Sequence, residues 1–196
     1  NKRKATKKSE YFKHWYCQEA FIERGLMTMK PLDFHIPASQ ALEILQKGAF
    51  LTTQAQGKVN TMTIGWGGVS FLWRKPMFLV MVRPSRHTHG MIDAAKEFTV
   101  TLPLDDQLKE ALALCGSKSG RDMDKLAAAG LTALPGQKIA TPVIAGNCIQ
   151  YECKVVYRQD MDQDALAAML QHSCYASGDY HTLYYGEIVA CYQTEK

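Results

Sequence analysis

Alternating apolar and polar residues predict several β-strands along the chain. The segment 60–66 (NTMTIGW) has the two-residue period of a strand with one apolar face, and its other face carries two threonines and a glycine. The segment 149–157 alternates in the same way, whereas Met77–Val82 is an unbroken apolar run, typical of a strand covered on both faces. Further strands are predicted at Ala49–Gln54, Phe98–Leu104 and Leu183–Tyr192.

Apolar residues at helical spacing predict short helices between these strands. They are Ser9–Leu26, Ala38–Gln46, Gly90–Phe98, Asp105–Cys115, Ser119–Ala129 and Asp162–Leu170. Gly116 and Gly130 are predicted to end helices, and Ser119 to cap one. Turns are predicted at Ala55–Lys58 and Arg74–Pro76. Antiparallel strands with short turns favour a mainly β fold with added helices, a barrel rather than a doubly wound sheet.

The segment 83–89 (RPSRHTH), which follows the run Met77–Val82, gathers side chains that bind anions. It holds two guanidiniums, two hydroxyls and two imidazoles. Thr88 is predicted near the N-cap of the next helix, so free backbone N–H groups and the positive end of the helix dipole face the same point. This combination favours a phosphate site over an ordinary strand-to-helix connection with a solvated basic face.

A second small loop, Gly116–Gly120 (GSKSG), is rich in hydroxyls. Its backbone can approach a ligand closely, and Lys118 or Lys125 would supply charge. On the residues alone, an ordinary connection between two helices is the simpler interpretation.

Charge and composition narrow the function classes. The net charge of +4 arises in residues 1–8 (NKRKATKK), which hold five of the 23 basic residues and leave 18 basic against 19 acidic side chains. A nearly neutral remainder argues against a nucleic-acid groove. No apolar run approaches the roughly 20 residues of a membrane span, and nothing reads as a secretory signal, so we expect no membrane partner and a cytoplasmic location.

Six cysteines without a C-x-x-C pair predict reduced thiols and no metal site. The chain also lacks a nucleophile elbow, H-E-x-x-H, a Walker sequence and G-x-G-x-x-G, so hydrolase, NTPase and Rossmann dinucleotide functions find no support.

The segments NTMTIGWGG, W-x-KP, VRPSR-x-T and CGSKSGRDMDK stand in this order and resemble the flavin reductase-like, FMN-binding split-barrel proteins of the flavoredoxin type. The segments YECKVVY and HTLYYGEI resemble that family's closing strands. The resemblance spans about Pro37 to Tyr192. It implies an antiparallel Greek-key split barrel with peripheral helices. We expect a basic tail and N-terminal extension at 1–30 and a single domain at 31–196.

The resemblance also implies which residues bind FMN. Arg83, Ser85, Arg86 and Thr88 would hold the phosphate, with His87 beside them and Ser117 and Ser119 as donors from the second loop. Asn60, Thr61, Met62 and Thr63 would lie along the ring, and Cys115 and Gly116 adjoin the second loop. Cys115 lies on an apolar helical face, which predicts a buried, inert thiol rather than a redox group. His181 is a candidate to stand over the flavin or nicotinamide, although a structural histidine is the favoured interpretation.

The implied function is an NAD(P)H-dependent flavin reductase that passes electrons through bound FMN to free flavin, ferric chelates or a protein acceptor. NADH or NADPH would bind transiently over the flavin. The alternatives are an FMN-carrying electron-transfer protein without nicotinamide oxidation, and a cofactor-scavenging split barrel, related to pyridoxamine-phosphate oxidases, that binds another phosphorylated ring. The resemblance further implies a homodimer with the flavin near the subunit boundary.

Overall fold

The computed structural model describes residues 27–195, except for the side chains of His35 and Ile36. The helix predicted at Ser9–Leu26 and the basic tail lie outside these described residues. Within them the strands are β1 (Thr28–Pro31), β2 (Ala49–Ala55), β3 (Lys58–Ile64), β4 (Gly67–Leu72), β5 (Lys75–Val82), β6 (Glu97–Pro103), β7 (Ala133–Leu134), β8 (Val143–Ile144), β9 (Cys148–Asp160) and β10 (Thr182–Glu195). The helices are α1 (His35–Leu45), α2 (His87–Ala95), α3 (Lys109–Ser117), α4 (Lys125–Ala128) and α5 (Ala168–Cys174).

The main sheet is antiparallel throughout, in the order β3-β2-β6-β9-β10-β5-β4, and β1 adds to β10. Ile64 on β3 and Val69 on β4 stand at opposite ends of this order, yet both pack on one apolar core with Phe78, Phe98 and Tyr151. The sheet must therefore curl around its core. The mainly β, barrel-like architecture predicted from the sequence is confirmed.

The β2–β3 hairpin forms where the sequence predicts it. Gln56 and Gly57 both have left-handed backbones, with φ of 51° and 74°, as a two-residue turn of type I′ requires. The second turn differs from the prediction, because Trp73 and Arg74 take the left-handed positions, at φ 50° and 62°. Lys75 and Pro76 are instead paired in the β4–β5 ladder.

Several predicted helix boundaries are wrong for local reasons. The helix predicted at Gly90–Phe98 is instead α2 at His87–Ala95, with Arg86 as N-cap, and Thr88 lies near that N-cap as predicted. Gly116 lies inside α3 and does not end it. An added Cβ there would stand only 3.3 Å from Thr63 Cβ, so glycine lets α3 lie close to β3. Helix α4 is capped by Asp124, whose carboxylate accepts from Ala127 N at 3.1 Å, rather than by Ser119.

The helix predicted at Asp162–Leu170 is displaced toward the C-terminus, to Ala168–Cys174. Asp162 Oδ1 accepts a hydrogen bond from Asp164 N at 2.9 Å, a local turn that competes with helix formation. Ala167 is extended, at φ −56° and ψ 134°, so the helix starts only after it. In the described part of the chain, no helix is long and apolar enough to cross a membrane.

Candidate functional site

Two adjoining cavities lie where β5 leads into α2. The first, which we call the cationic cavity, has a volume of about 120 Å³. Most of the predicted cofactor-binding residues line it, namely Met62, Ser85, Arg86, His87, Thr88, Cys115, Gly116 and Ser119. Lys118, Gly120, Arg121 and Lys125 complete its wall. The fold thus brings together the two loops and the strand that the sequence singled out.

Four basic side chains face the cationic cavity: Arg86, Lys118, Arg121 and Lys125. Within residues 27–195, none of the four forms an ion pair with a carboxylate. Arg121 Nη1 donates to the backbone oxygen of Ser85 at 2.9 Å, which ties this exposed side chain to the segment before α2. Unpaired cations around one small cavity create a positive potential that favours an anion such as phosphate.

Lys125 forms the floor of the cationic cavity. It is only 4% exposed, and its Nζ donates to the backbone oxygen of Cys115 at 3.1 Å. Burial lowers the pKa of Lys125, and the nearby positive charge of Arg86 lowers it further, while Cys115 opposes the shift. A bound anion would offset the cost of burying this charge.

A hydrogen bond between Asn60 and Thr88 braces one wall of the cavity. Asn60 Nδ2 donates to Thr88 Oγ1 at 2.8 Å, and both side chains are buried. Thr88 accepts this bond, so its own hydroxyl proton stays available to a ligand. Gly120 lies directly against Asn60, since an added Cβ would stand 2.0 Å from Asn60 Oδ1. Asn60 therefore supports the site without lining either cavity.

Two predicted phosphate contacts have other partners in the structure. Ser85 Oγ donates to Asp179 Oδ2 at 2.6 Å, although Ser85 still lines the cationic cavity. Arg83 donates to the backbone oxygens of Asp179 at 2.8 Å and Cys174 at 3.0 Å, and its guanidinium lies over the ring of Tyr175. The guanidinium of Arg83 thus fastens the loop after α5 and does not line the cationic cavity.

The second cavity, which we call the aromatic cavity, has a volume of about 200 Å³. It shares Met62 and Arg86 with the cationic cavity, so the two are contiguous. Its other lining residues are Thr63, Ile64, Gly65, Trp66, Met81, Arg83 and His181. The contribution of Trp66 and Met81 was not predicted from the sequence.

The hydroxyls on β3 have partners within the protein, and of the two threonines only Thr63 lines a cavity. Thr61 is fully buried and donates to the backbone oxygen of Leu51 at 3.3 Å, and Thr63 donates to that of Leu112 on α3 at 2.6 Å. Met62, on the opposite face, is the side chain that reaches both cavities. Because β3 ends the strand order among residues 27–195, no strand of this described part pairs with its outer edge, whose backbone polar groups can meet a ligand.

His181 lies in the wall of the aromatic cavity and is 7% exposed. Its Nδ1 shares a 2.7 Å hydrogen bond with Tyr175 Oη, and the ring of Trp66 lies 5.2 Å away, centroid to centroid. Burial, reinforced by the positive charge of Arg83, lowers the pKa of His181 to about 4, although Asp179 opposes the shift. The imidazole is therefore neutral near pH 7.

Acid is expected to destabilise the wild-type protein more steeply than a His181→Gln variant. The pKa of His181 falls from 6.5 when exposed to about 4 in the folded protein, so the unfolded chain takes up the proton first. The stability contributed by the neutral imidazole is complete above pH 6.5 and is lost as the pH falls toward 4. Urea unfolding at pH 7, 6 and 5 measures the two slopes. Parallel slopes would contradict this assignment.

The remaining predicted residues lie at the edge of the site. Ser117 donates to the backbone oxygens of Ala113 and Leu114 at 2.9 and 3.2 Å and lines neither cavity. Cys115 is buried, and burial raises the pKa of its thiol, as expected for an unreactive cysteine. Among the described residues, no three His, Cys, Asp or Glu side chains come together as a metal site, and all five cysteines are free thiols.

Comparison with known proteins gives a family match. Residues 44–196 match the family model described as "Flavin reductase like domain". An uncharacterized protein of Archaeoglobus fulgidus is 30% identical over 141 residues, which cover 71% of this chain and 68% of that protein. An uncharacterized protein of Pyrococcus abyssi is 28% identical over 143 residues, which cover 72% of this chain and 70% of that protein.

Solved structures share the fold. An FMN-binding protein from Thermus thermophilus has a TM-score of 0.59 at 24% identity, covering 74% of this chain and 69% of that one. A flavoredoxin from Methanosarcina acetivorans has a TM-score of 0.58 at 23% identity, covering 90% and 76%. A further neighbour, from Shewanella frigidimarina, is described as having a split barrel domain and has a TM-score of 0.59 at 20% identity, covering 83% and 75%. These likenesses confirm the predicted split-barrel fold class.

Proposed function

Because this chain belongs to the flavin reductase-like family, we propose that it binds FMN, with the phosphate in the cationic cavity and the isoalloxazine ring in the aromatic cavity. The observation that carries the proposal is the contiguity of the two cavities through Met62 and Arg86. Within the described residues, the first cavity is lined by cations without a carboxylate partner, and the second is lined mainly by apolar and aromatic groups. FMN has the same division, since an anionic group and a planar ring stand at its two ends.

Positive side chains and free backbone N–H groups support the proposed position of the FMN phosphate. Arg86 is the N-cap of α2, and His87 and Thr88 follow it as the first residues of that helix. Free backbone N–H groups and the helix dipole therefore favour an anion there. Lys125 supplies a buried ammonium from the opposite side, where a charge-assisted hydrogen bond is at its strongest.

The ring end is supported by β3 and by the wall formed by Trp66 and His181. Met62 gives the ring an apolar contact, and the unpaired edge of β3 offers backbone groups to its polar edge. His181 has Nδ1 engaged with Tyr175, which leaves Nε2 as the imidazole nitrogen that can meet a ligand. A neutral imidazole positions a ligand without adding charge beside the ring.

The proposed activity is NAD(P)H-dependent flavin reduction. When bound, FMN would supply a ring able to accept a hydride from a dihydronicotinamide and to pass its two electrons to free flavin, a ferric chelate or a protein acceptor. The chain's own residues bind and orient: Arg86 and Lys125 hold the phosphate, and β3 and Trp66 fix the plane of the ring. Transient NADH or NADPH would approach from the exposed side of the aromatic cavity, beside Trp66.

The second candidate function is electron transfer without nicotinamide oxidation. The aromatic cavity has a volume of about 200 Å³, so a flavin ring bound there would leave little space for a nicotinamide ring. This small volume favours a carrier. Steady oxidation of NADH or NADPH by the purified, FMN-loaded protein supports the reductase. Reduction of the bound FMN only by a partner reductase would contradict it and support the carrier.

Arg86→Ala is expected to weaken FMN binding about five- to tenfold, because it removes one exposed, charge-assisted phosphate contact. Riboflavin, which has no phosphate, should bind the variant and the wild type alike. Fluorescence titration with both ligands measures the difference. An unchanged FMN affinity would remove Arg86 from the site.

We propose that a second copy of the chain covers the exposed apolar surface near the β4–β5 turn. Phe71 is 64% and Trp73 61% exposed, and the ring of Trp73 lies 5.9 Å from Tyr157 and 6.0 Å from Tyr185, centroid to centroid. An aromatic cluster of this kind is typical of an interface. We expect a homodimer in sedimentation at micromolar concentration, and a monomer there would contradict the proposal.

A further inference from the structure

The cationic cavity carries more positive charge than one FMN phosphate neutralises. Four basic side chains line it, whereas a phosphate monoester near neutral pH carries about −1.5 to −2. Asp179, the carboxylate bound to Ser85 at the edge of the cavity, adds one negative charge, and the balance stays positive.

The positive potential also extends beyond the cavity. Burial lowers the pKa of His87, and the charges of Arg121, Lys125 and Lys58 lower it further. Lys58 is the first residue of β3, so the field reaches the outer side of the site.

The four cations divide into an inner and an outer pair. Arg86 lines both cavities, and Lys125 is buried on the floor, so this inner pair lies where a ring in the aromatic cavity would join its phosphate. Lys118 and Arg121 line the cationic cavity alone and are exposed. This outer pair therefore stands at the mouth, beyond the phosphate of FMN.

We propose that Lys118 and Arg121 form a second anionic subsite, which binds the pyrophosphate group of a nucleotide. The proposal rests on the proposed FMN site, because that site accounts for the inner pair. Arg121 uses Nη1 for the backbone of Ser85, and its other guanidinium donors remain to grip a phosphate oxygen. Lys118 ends α3, where its backbone N–H is bonded to Leu114 and its side chain is exposed at the mouth.

Two kinds of nucleotide contain such a pyrophosphate group. In FAD the pyrophosphate extends from the phosphate end of the flavin, so the second phosphate would pass from the inner to the outer pair. In NADH or NADPH the pyrophosphate belongs to the electron donor, which would lie across both cavities. The subsite recognises the same charged group in each case.

A double variant, Lys118→Gln with Arg121→Gln, separates the subsite from the FMN site. A matched control, Lys47→Gln with Lys109→Gln, removes two exposed positive charges that line neither cavity. FMN and FAD affinities are measured by titration of the apoprotein. The rate of reduction of the FMN-loaded protein is measured with NADH, NADPH and 1-benzyl-1,4-dihydronicotinamide, a donor without phosphate.

In the double variant, the affinity for FAD or the KM for the dinucleotides is expected to worsen about tenfold, because two charge-assisted contacts are lost. FMN affinity and reduction by the benzyl compound should stay within about twofold of wild type, since neither involves the pyrophosphate. A loss confined to FAD assigns the subsite to the cofactor, and a loss confined to NADH and NADPH assigns it to the donor.

Two results would overturn the subsite. One is a loss of FMN affinity in the double variant as large as the loss for FAD or the dinucleotides, which would make the outer pair part of the FMN phosphate site. The other is the absence of any change for FAD, NADH and NADPH. Failure of the proposed function is seen separately, as a wild-type protein that does not bind FMN at all.

Discussion

Lys125→Met is expected to weaken FMN binding about a hundredfold while the protein stays folded. The ammonium is 4% exposed and donates to the backbone oxygen of Cys115, and no carboxylate of residues 27–195 pairs with it, so a phosphate would be its charge partner. Such a buried, charge-assisted contact is worth about 1.5–3 kcal/mol, which corresponds to roughly a 10- to 150-fold change in affinity. Methionine keeps the length and apolar stem of lysine, so packing beneath α3 is retained.

The same substitution is expected to leave the stability of the apoprotein unchanged or to raise it. Burial lowers the pKa of Lys125, which indicates that the empty site bears the cost of a buried cation. Urea unfolding of the apo and FMN-loaded forms measures both effects. Lys109→Met, at an exposed position on α3, is the control and should change neither quantity. If the free energy of unfolding of the apoprotein falls by as much as the free energy of FMN binding, Lys125 is a packing residue.

Gly186→Ala is expected to lower the free energy of unfolding by about 3 kcal/mol, within the range for overpacking a core. An added Cβ would stand 2.5 Å from Phe98 Cζ and 2.7 Å from Cys153 Cβ, and all three residues are buried. Gly186 is paired with Phe78 on β5 and with Val155 on β9, so the strands on both sides leave little freedom to move apart. A fall in Tm of about 10 °C would accompany this loss for a chain of 196 residues.

Two further variants test the cause of this loss. Gly90→Ala on α2 meets nothing within 4 Å and is expected to gain about 0.5–1 kcal/mol, since alanine favours the helix. Phe98→Leu combined with Gly186→Ala should lose less than the sum of the single changes, because the smaller side chain makes room for the methyl group. Additive losses would contradict a direct clash between positions 98 and 186.

Local sequence patterns predicted most of the sheet. The period-2 segment at 60–66, the apolar run Met77–Val82 and the turn at Gln56–Gly57 all depend on contacts close in sequence. Membership of the flavin reductase-like family, expected from motifs in order, is confirmed by the match over residues 44–196. Patterns of this kind are decided by a few neighbouring residues and can be read directly.

Competition from distant partners could not be read from the sequence. Arg83 was predicted to hold phosphate, but backbone oxygens about 90 residues later in the chain take its guanidinium. Thr61 and Thr63 were predicted to lie along the ring, but their hydroxyls donate to the backbone oxygens of Leu51 and Leu112, and only Thr63 lines the aromatic cavity. The left-handed turn at Trp73 and Arg74 carries no glycine or asparagine that would have signalled it.

The aromatic cavity is also formed by residues far apart in the sequence, so it could not be predicted from local patterns. Trp66, Tyr175 and His181 come together only because β5 pairs with β10 on one side and with β4 on the other, which brings the loop before β10 close to the residue before β4. No spacing in the sequence links these three residues. The basic segment at 83–89, by contrast, has a local signature, and the family resemblance joined the hydroxyl-rich loop to it as one site.

The central claim is that the cationic cavity grips the phosphate of a flavin whose ring lies in the aromatic cavity. Calorimetric titration of the apoprotein with FMN, riboflavin and pyridoxal phosphate tests it most directly. The account predicts that FMN binds at least about a hundredfold more tightly than either other ligand, because only FMN fills both cavities. Equal affinities for FMN and riboflavin, or tighter binding of pyridoxal phosphate, would contradict it.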